Sequence, residues 1–200
     1  MPVTKNLCER YVVSEDKPHG EQAAITLHCW QRDHGAAGIY YCGTIQIHST
    51  YGDWANTWTA CATPFKQFLT EVEFDYAFGK FMPGRLERFN AEASLTMLRA
   101  KIVENRRHAW ISKTEAREIW DALDDNEADL LGFGEESYIR ALMEIGHDLS
   151  DGDPKQWLAE AWEFTATEPD RSAVNFWKRL WPLFTAELRK EVRAESEVAA

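Results

Sequence analysis

The sequence predicts an α+β fold: a small antiparallel β-meander of about three strands packed against a helical C-terminal two-thirds. Three observations predict it. Apolar and polar residues alternate between Ala24 and Cys61, the mark of half-buried strands. At Thr63-Pro64 the repeat lengthens to about 3.6 residues and stays helical to the C-terminal region. The links between the alternating stretches are short and rich in turn formers, so consecutive strands pair antiparallel.

The first strand expected is Ala24–Trp30, where Ile25, Leu27 and Cys29 share one face. That placement makes Cys29 a small core residue. Asp33-His34-Gly35 and Gly38 supply a turn. Residues 39–48 then set Ile39, Tyr41, Gly43, Ile45 and Ile47 against Tyr40, Cys42, Thr44, Gln46 and His48. Tyr51-Gly52-Asp53 turns the chain into a third strand, Trp54–Cys61. Residues 1–22 are polar and carry Pro18 and Gly20, which reads as an arm. The organisation expected is an N-terminal arm (1–23), an α+β core (24–146) and a C-terminal helical appendage (147–200). The turn-rich run from Asp148 to Pro154 is the soft boundary.

The helical part opens with Thr63 as a hydroxyl N-cap and Pro64 at the first helical position. Phe65, Phe68, Leu69 and Val72 follow at helical spacing, and Phe74, Ala77, Phe78 and Phe81 repeat it. Asn90 caps a helix carrying Leu95, Leu98 and Ile102. Ser112-Lys113-Thr114-Glu115 is a capping box ahead of Ala116, Ile119, Trp120 and Leu123. Residues 135–145 form a further helix ending at Gly146, and Asp153-Pro154 opens another through Trp157 and Trp162. The last begins near Asp170, and Pro182 kinks or divides it because proline lacks a backbone donor.

Two hundred residues suffice for a core without metal or disulfide, burying roughly 70% of the unfolded surface. The formal charge is −11 and the pI near 5.0, which argues against a general nucleic-acid binder. Residues 1–62 carry −2 of that charge and residues 63–200 carry −9. The N-terminus lacks an apolar signal region, and no run approaches the ~18 apolar residues of a membrane helix. The four cysteines, without a CxxC pair, read as reduced thiols.

Catalytic signatures are sparse. His28, Cys29, His34, Cys42 and His48 fall near one hairpin, yet alternation sends His28 and Cys29 to opposite faces, and no spacing matches a zinc motif. The acidic runs do not fit a calcium loop. Neither a P-loop, a G-x-G-x-x-G fingerprint nor a G-x-S-x-G elbow occurs. No catalytic residue, metal site or cofactor is expected, although a Cys–His pair distant in sequence stays open.

Three surface features remain. Asp121, Asp124, Asp125, Glu127, Asp129, Glu135 and Glu136 form an acidic stretch suited to a basic partner, or simply to a solvated surface. Arg99, Arg106, Arg107 and Lys113 form a basic patch with Trp110 among them. It either complements a helix C-terminus or contacts nucleic acid. Trp157, Trp162, Trp177 and Trp181 are aromatic enough for an interface, a homodimer included, or for ordinary core packing.

Tyr51-Gly52-Asp53-Trp54 with Trp58, Phe65-Lys66-Gln67-Phe68-Leu69, Asp75-Tyr76 and Lys80 resemble a group of small phage and prophage accessory proteins. Arg106-Arg107, Ile111-Ser112-Lys113 and Ala116-Arg117 add to the resemblance, which covers residues 24–125 and leaves 130–200 outside. It implies a phage-encoded protein in the cytoplasm of a bacterial host, and it transfers no catalytic residue. The function expected is inhibition of a host defence factor, in the manner of an anti-CRISPR. The partner would be a host protein or ribonucleoprotein with a basic surface, met by the acidic stretch as a nucleic-acid mimic, with no membrane involved. The alternatives are a regulator contacting nucleic acid through the basic patch and an enzyme with an unrecognised site.

Overall fold

The structure is a computed structural model that describes residues 5–18, 20–35, 38–132, 134–149, 158 and 160–199. In chain order the elements are β1 (Glu9–Ser14), β2 (Gln22–Asp33), β3 (Ile39–Ser49), β4 (Gly52–Cys61), α1 (Phe65–Glu71) and α2 (Phe74–Phe81). There follow β5 (Glu87–Phe89), α3 (Ala91–Arg107), α4 (Lys113–Asp125), α5 (Glu127–Gly132) and α6 (Glu135–Asp148). A 3-10 turn (Ala161–Phe164), β6 (Thr167–Pro169), α7 (Arg171–Arg179) and α8 (Trp181–Ala199) complete the chain. The fold is α+β, as the periodicity requires.

The main sheet is an antiparallel meander in the order β1-β2-β3-β4. It has four strands, because part of the expected arm is β1, which pairs Tyr11 with Ile25 and Val13 with Ala23. Its six residues are mostly polar and exposed, so alternation alone hides them. A strand at a sheet edge needs only one apolar face and one partner. Cys29 is a second correction: it is exposed, not core. The buried residues of β2 are Ala23, Ile25 and Leu27.

The chain forms two units, Met1–Leu86 with Pro169–Ala200, and Glu87–Glu168. The breaks at 86/87 and 168/169 differ from the division expected at 23/24 and 146/147. In the first unit, one sheet face meets helices through Trp54, Trp58, Phe65, Phe78, Phe176 and Phe184. Trp54 stands edge-on to Phe78 at 5.1 Å between centroids, and Trp58 contacts Phe65, Phe68 and Phe81. The contact of α1 with β3 depends on Gly43, since a Cβ there would lie 2.0 Å from Phe65 Cδ1. Trp181 is 4% exposed, and Trp177 stacks on it at 4.8 Å. Trp181 therefore belongs to the core of this unit, and Trp177 is partly buried against it.

The second unit is helical, with a core that includes Leu98, Ile102, Ile119, Leu123, Tyr138 and Leu142. Local signals hold well here. The Asn90 side chain accepts from the Ala93 N–H at 2.9 Å. Ser112 and Glu115 close both bonds of the capping box, at 3.1 and 2.6 Å. In the first unit Asp170 caps α7 by accepting from the Ala173 N–H at 3.0 Å. Three expectations are adjusted. Helix α1 starts at Phe65 with Pro64 as a cap that makes no side-chain bond, so Thr63 lies outside it. Gly146 is buried inside α6 rather than ending it. Pro182 divides α7 from α8 and sits in the first turn of α8, where its missing donor costs nothing. The opening of the helix expected at Asp153-Pro154 lies outside the described residues, and Trp162, expected on the same helix, falls in the 3-10 turn.

Candidate functional site

The second unit contains nineteen Asp and Glu against nine Lys and Arg, a formal −10 of the chain's −11. Much of this charge is organised. Glu118, Asp121, Ala122 and Asp125 recur at three- and four-residue intervals and share one face of α4. Ser137, Arg140, Ala141, Glu144, Ile145 and Asp148 do the same on α6. The two faces border a groove of about 920 Å³, which Asp129 also lines. Six carboxylates (Glu118, Asp121, Asp125, Asp129, Glu144 and Asp148) face it with one guanidinium, that of Arg140. Ala122, Ala141, Ile145 and Leu149 supply apolar surface between the charges. Arg117 reaches Asp121 at 3.2 Å in an exposed pair, which offsets little of that field.

Of the seven acidic residues expected at the surface, Asp121, Asp125 and Asp129 line this groove. Asp124 and Glu127 instead hold Arg99, at 2.5 and 3.2 Å. Glu135 and Glu136 occupy the first turn of α6, where a carboxylate complements the helix dipole. Glu118, Glu144 and Asp148 were not anticipated. Their spacing from Asp121 and Asp125, and from Arg140 and Ala141, is the signal that identifies them.

The basic patch also resolves into parts. The Arg99 guanidinium, bound to Asp124 and Glu127, lies over the Trp120 ring at 5.6 Å, so it is internal to the unit's ion pairing. Arg106, Arg107 and Lys113 are exposed and line a separate trough with Arg117, Ile102, Val103, Ala116 and Trp120. This trough and the acidic groove use different faces of α4, by helical spacing.

In the first unit a dense titratable cluster is built on Lys66. Its ammonium lies 2.7 Å from both Glu9 and Glu191 and 3.9 Å from Glu195. The Tyr11 hydroxyl is shared between Glu9 at 2.6 Å and Glu191 at 2.9 Å. Burial works against the Lys66 charge, but its bonds to Glu191 and Glu9 hold its pKa above the usual lysine range. Burial likewise opposes the Glu9 charge, while bonds from Lys66 and Tyr11 hold its pKa below the usual carboxylate range. Burial first, then Glu9, Glu195 and Glu191, push the nearby Cys29 thiol up to about 11 against the opposing charge of Lys66. A lysine held protonated and a thiol held neutral are poor nucleophiles at pH 7. The cluster is an electrostatic clamp joining β1, α1 and α8.

The hairpin histidines and cysteines do not converge. His28 stacks on Trp30, His34 meets Tyr40 edge-on, and His48 pairs with Asp53. The Cys42 thiol is buried and donates to the Thr59 carbonyl at 3.1 Å. Among the described residues no three His, Cys, Asp or Glu side chains are placed to hold a metal ion. Of the tryptophans expected at an interface, Trp181 belongs to the first unit's core and Trp177 is partly buried against it, whereas Trp162 is 57% exposed in the second unit. Trp157 lies outside the described residues.

The described residues thus form an α+β meander followed by helices that carry charged grooves. The chain belongs to a phage protein family, described simply as "Phage family", whose profile matches residues 24–190. The match extends through α7 and about half of α8, well past the 24–125 span of the resemblance read from motifs. Neither curated proteins nor solved structures give a match. Among the described residues no helix is long and apolar enough to cross a membrane.

Proposed function

We propose that this phage protein is a binding protein that inhibits a host defence factor in the host cytoplasm. In this reading it engages a basic, nucleic-acid-binding surface of that factor through the α4–α6 groove. One observation carries it: five carboxylates on the facing stripes of α4 and α6, with Asp129 of α5, border one groove with a single guanidinium. Carboxylates repeating along parallel stripes resemble the charge of a phosphate backbone, and such a field attracts a cationic partner and speeds encounter. The apolar side chains between them supply contact area that charge alone lacks. The membership of a phage family supports the setting.

The test is capture from nuclease-treated bacterial lysate by the immobilised protein, beside the triple variant Asp121→Lys, Asp125→Lys, Glu144→Lys. Wild type retains a stoichiometric protein partner at low salt and releases it by about 0.5 M salt, where the Debye length falls to a few ångström. The triple variant does not retain it. Equal retention by the variant, or retention indifferent to salt, would remove the groove from the interface.

A further inference from the structure

The α3–α4 trough presents the opposite chemistry to the acidic groove. Arg106, Arg107 and Lys113 are exposed and make no ion pair among the described residues. The unit around them holds carboxylates in twofold excess over cations, and Arg99, Lys101 and Arg117 are all paired. Arg106 and Arg107 complement the C-terminal dipole of α3, but with Lys113 they leave three neighbouring cations without a paired carboxylate, a locally positive site.

The trough they border measures about 320 Å³ and has an apolar lining that includes Ile102, Val103 and Trp120. The turn after α3 adds flat aromatic surface. Ala109 takes a left-handed conformation at φ 57°, and the Trp110 N–H reaches the Asn105 carbonyl at 2.9 Å. A non-glycine residue in that region is strained by roughly 1–2 kcal/mol. The turn it makes presents His108 stacked on Trp110, with 5.1 Å between centroids and 27° between planes. Trp110 nevertheless remains 61% exposed.

We propose that this trough and turn form a binding site for single-stranded nucleic acid. Arg106, Arg107 and Lys113 hold phosphates, while the His108–Trp110 pair and the apolar trough receive unstacked bases. Cations interleaved with exposed rings are the combination that single strands use, because every base has a face to stack. An acidic peptide would use the cations but has no need of an exposed indole. A duplex keeps its bases stacked and would gain little from either the rings or the trough. The unit's negative charge weakens binding at long range. Salt confines that repulsion to within roughly 10 Å, which leaves the local cations to act at contact. The inference does not rest on the acidic-groove reading.

The experiment is fluorescence anisotropy of the full chain with labelled 20-nucleotide DNA and RNA single strands, a matched duplex, and polyglutamate as competitor. Single strands bind at 50 mM salt, and raising salt to 200 mM weakens them roughly 20- to 50-fold, as three to four phosphate contacts require. Arg106→Glu/Arg107→Glu weakens binding at least tenfold with an unchanged circular dichroism spectrum. Trp110→Ala weakens it several-fold without changing the salt slope, a separation that a purely electrostatic surface would not give. The DNA and RNA arms tell which strand is preferred. Asp125→Lys/Glu144→Lys, which alters the acidic groove and leaves the Arg117–Asp121 pair in place, does not weaken it. Absence of single-strand binding at 50 mM salt, indifference to the Arg106/Arg107 variant, or equal competition by polyglutamate would each overturn the proposal.

Discussion

Gly43 and Phe65 occupy one space: the hydrogen on the Gly43 α-carbon is all that the Phe65 ring leaves room for. A Cβ at 43 would lie 2.0 to 2.3 Å from three ring carbons. The glycine thus lets α1 lie against β3. Gly43→Ala is expected to destabilise the protein by about 1–3 kcal/mol, the range for overpacking a filled core. In urea unfolding, Gly43→Ala combined with Phe65→Leu should cost less than the two single changes added together. Strict additivity would mean that the ring does not set the requirement.

Tyr138 is fully buried, its hydroxyl has no hydrogen-bond partner among the described residues, and burial pushes its pKa up to about 12. Removing an unsatisfied hydroxyl while keeping the ring should leave stability unchanged or raise it by up to about 1 kcal/mol. Thermal unfolding of Tyr138→Phe checks this. A loss above about 1 kcal/mol would reveal a bound water or another partner for that oxygen.

The Lys66 clamp gives a pH dependence of defined sign. The Glu9 pKa is lowered by folding, so its contribution is present above the unfolded value, about 4.3, and is lost as pH falls through the folded one. The Lys66 pKa is raised, so its contribution is present below about 10.4 and is lost as pH rises through the folded value. Lys66→Met should therefore cost about 1–2 kcal/mol at pH 7, between the exposed and buried cases. That difference from wild type should shrink in melts taken below about pH 4. A difference constant from pH 3 to 7 would show that packing, not charge, dominates.

Cys29 should be slow to alkylate despite its exposure. With a thiol pKa of about 11, its thiolate fraction at pH 8.5 is on the order of a hundredfold below that of an unfolded cysteine. Iodoacetamide labelling followed by peptide mass spectrometry measures the ratio. Equal rates in the folded and urea-unfolded chain would contradict the desolvation and carboxylate surroundings described for this thiol.

The sequence by itself determined the features that short segments encode. Alternation over 24–61 specified strands, helical spacing specified α1 to α4, and the caps at Asn90, Ser112 and Asp170 formed as their side chains dictate. Each depends on residues within one or two turns, so one sequence suffices. The acidic excess was equally legible, since charge is counted without coordinates. Tertiary structure decided what required distant partners. Polar β1 is a strand only because β2 offers it an edge, and Cys29 lies beyond Leu27, the last β2 residue that β1 pairs, where the strand is left exposed. Arg99 is withdrawn from the basic patch by Asp124 and Glu127, which lie 25 and 28 residues away. The acidic groove exists only where α4 and α6 set separate stripes side by side, which is why Glu118, Glu144 and Asp148 join it. Periodicity tells which face of an element is apolar or charged. Only the packed chain determines which faces meet, because that choice rests on the burial and ion pairing of residues far apart in sequence.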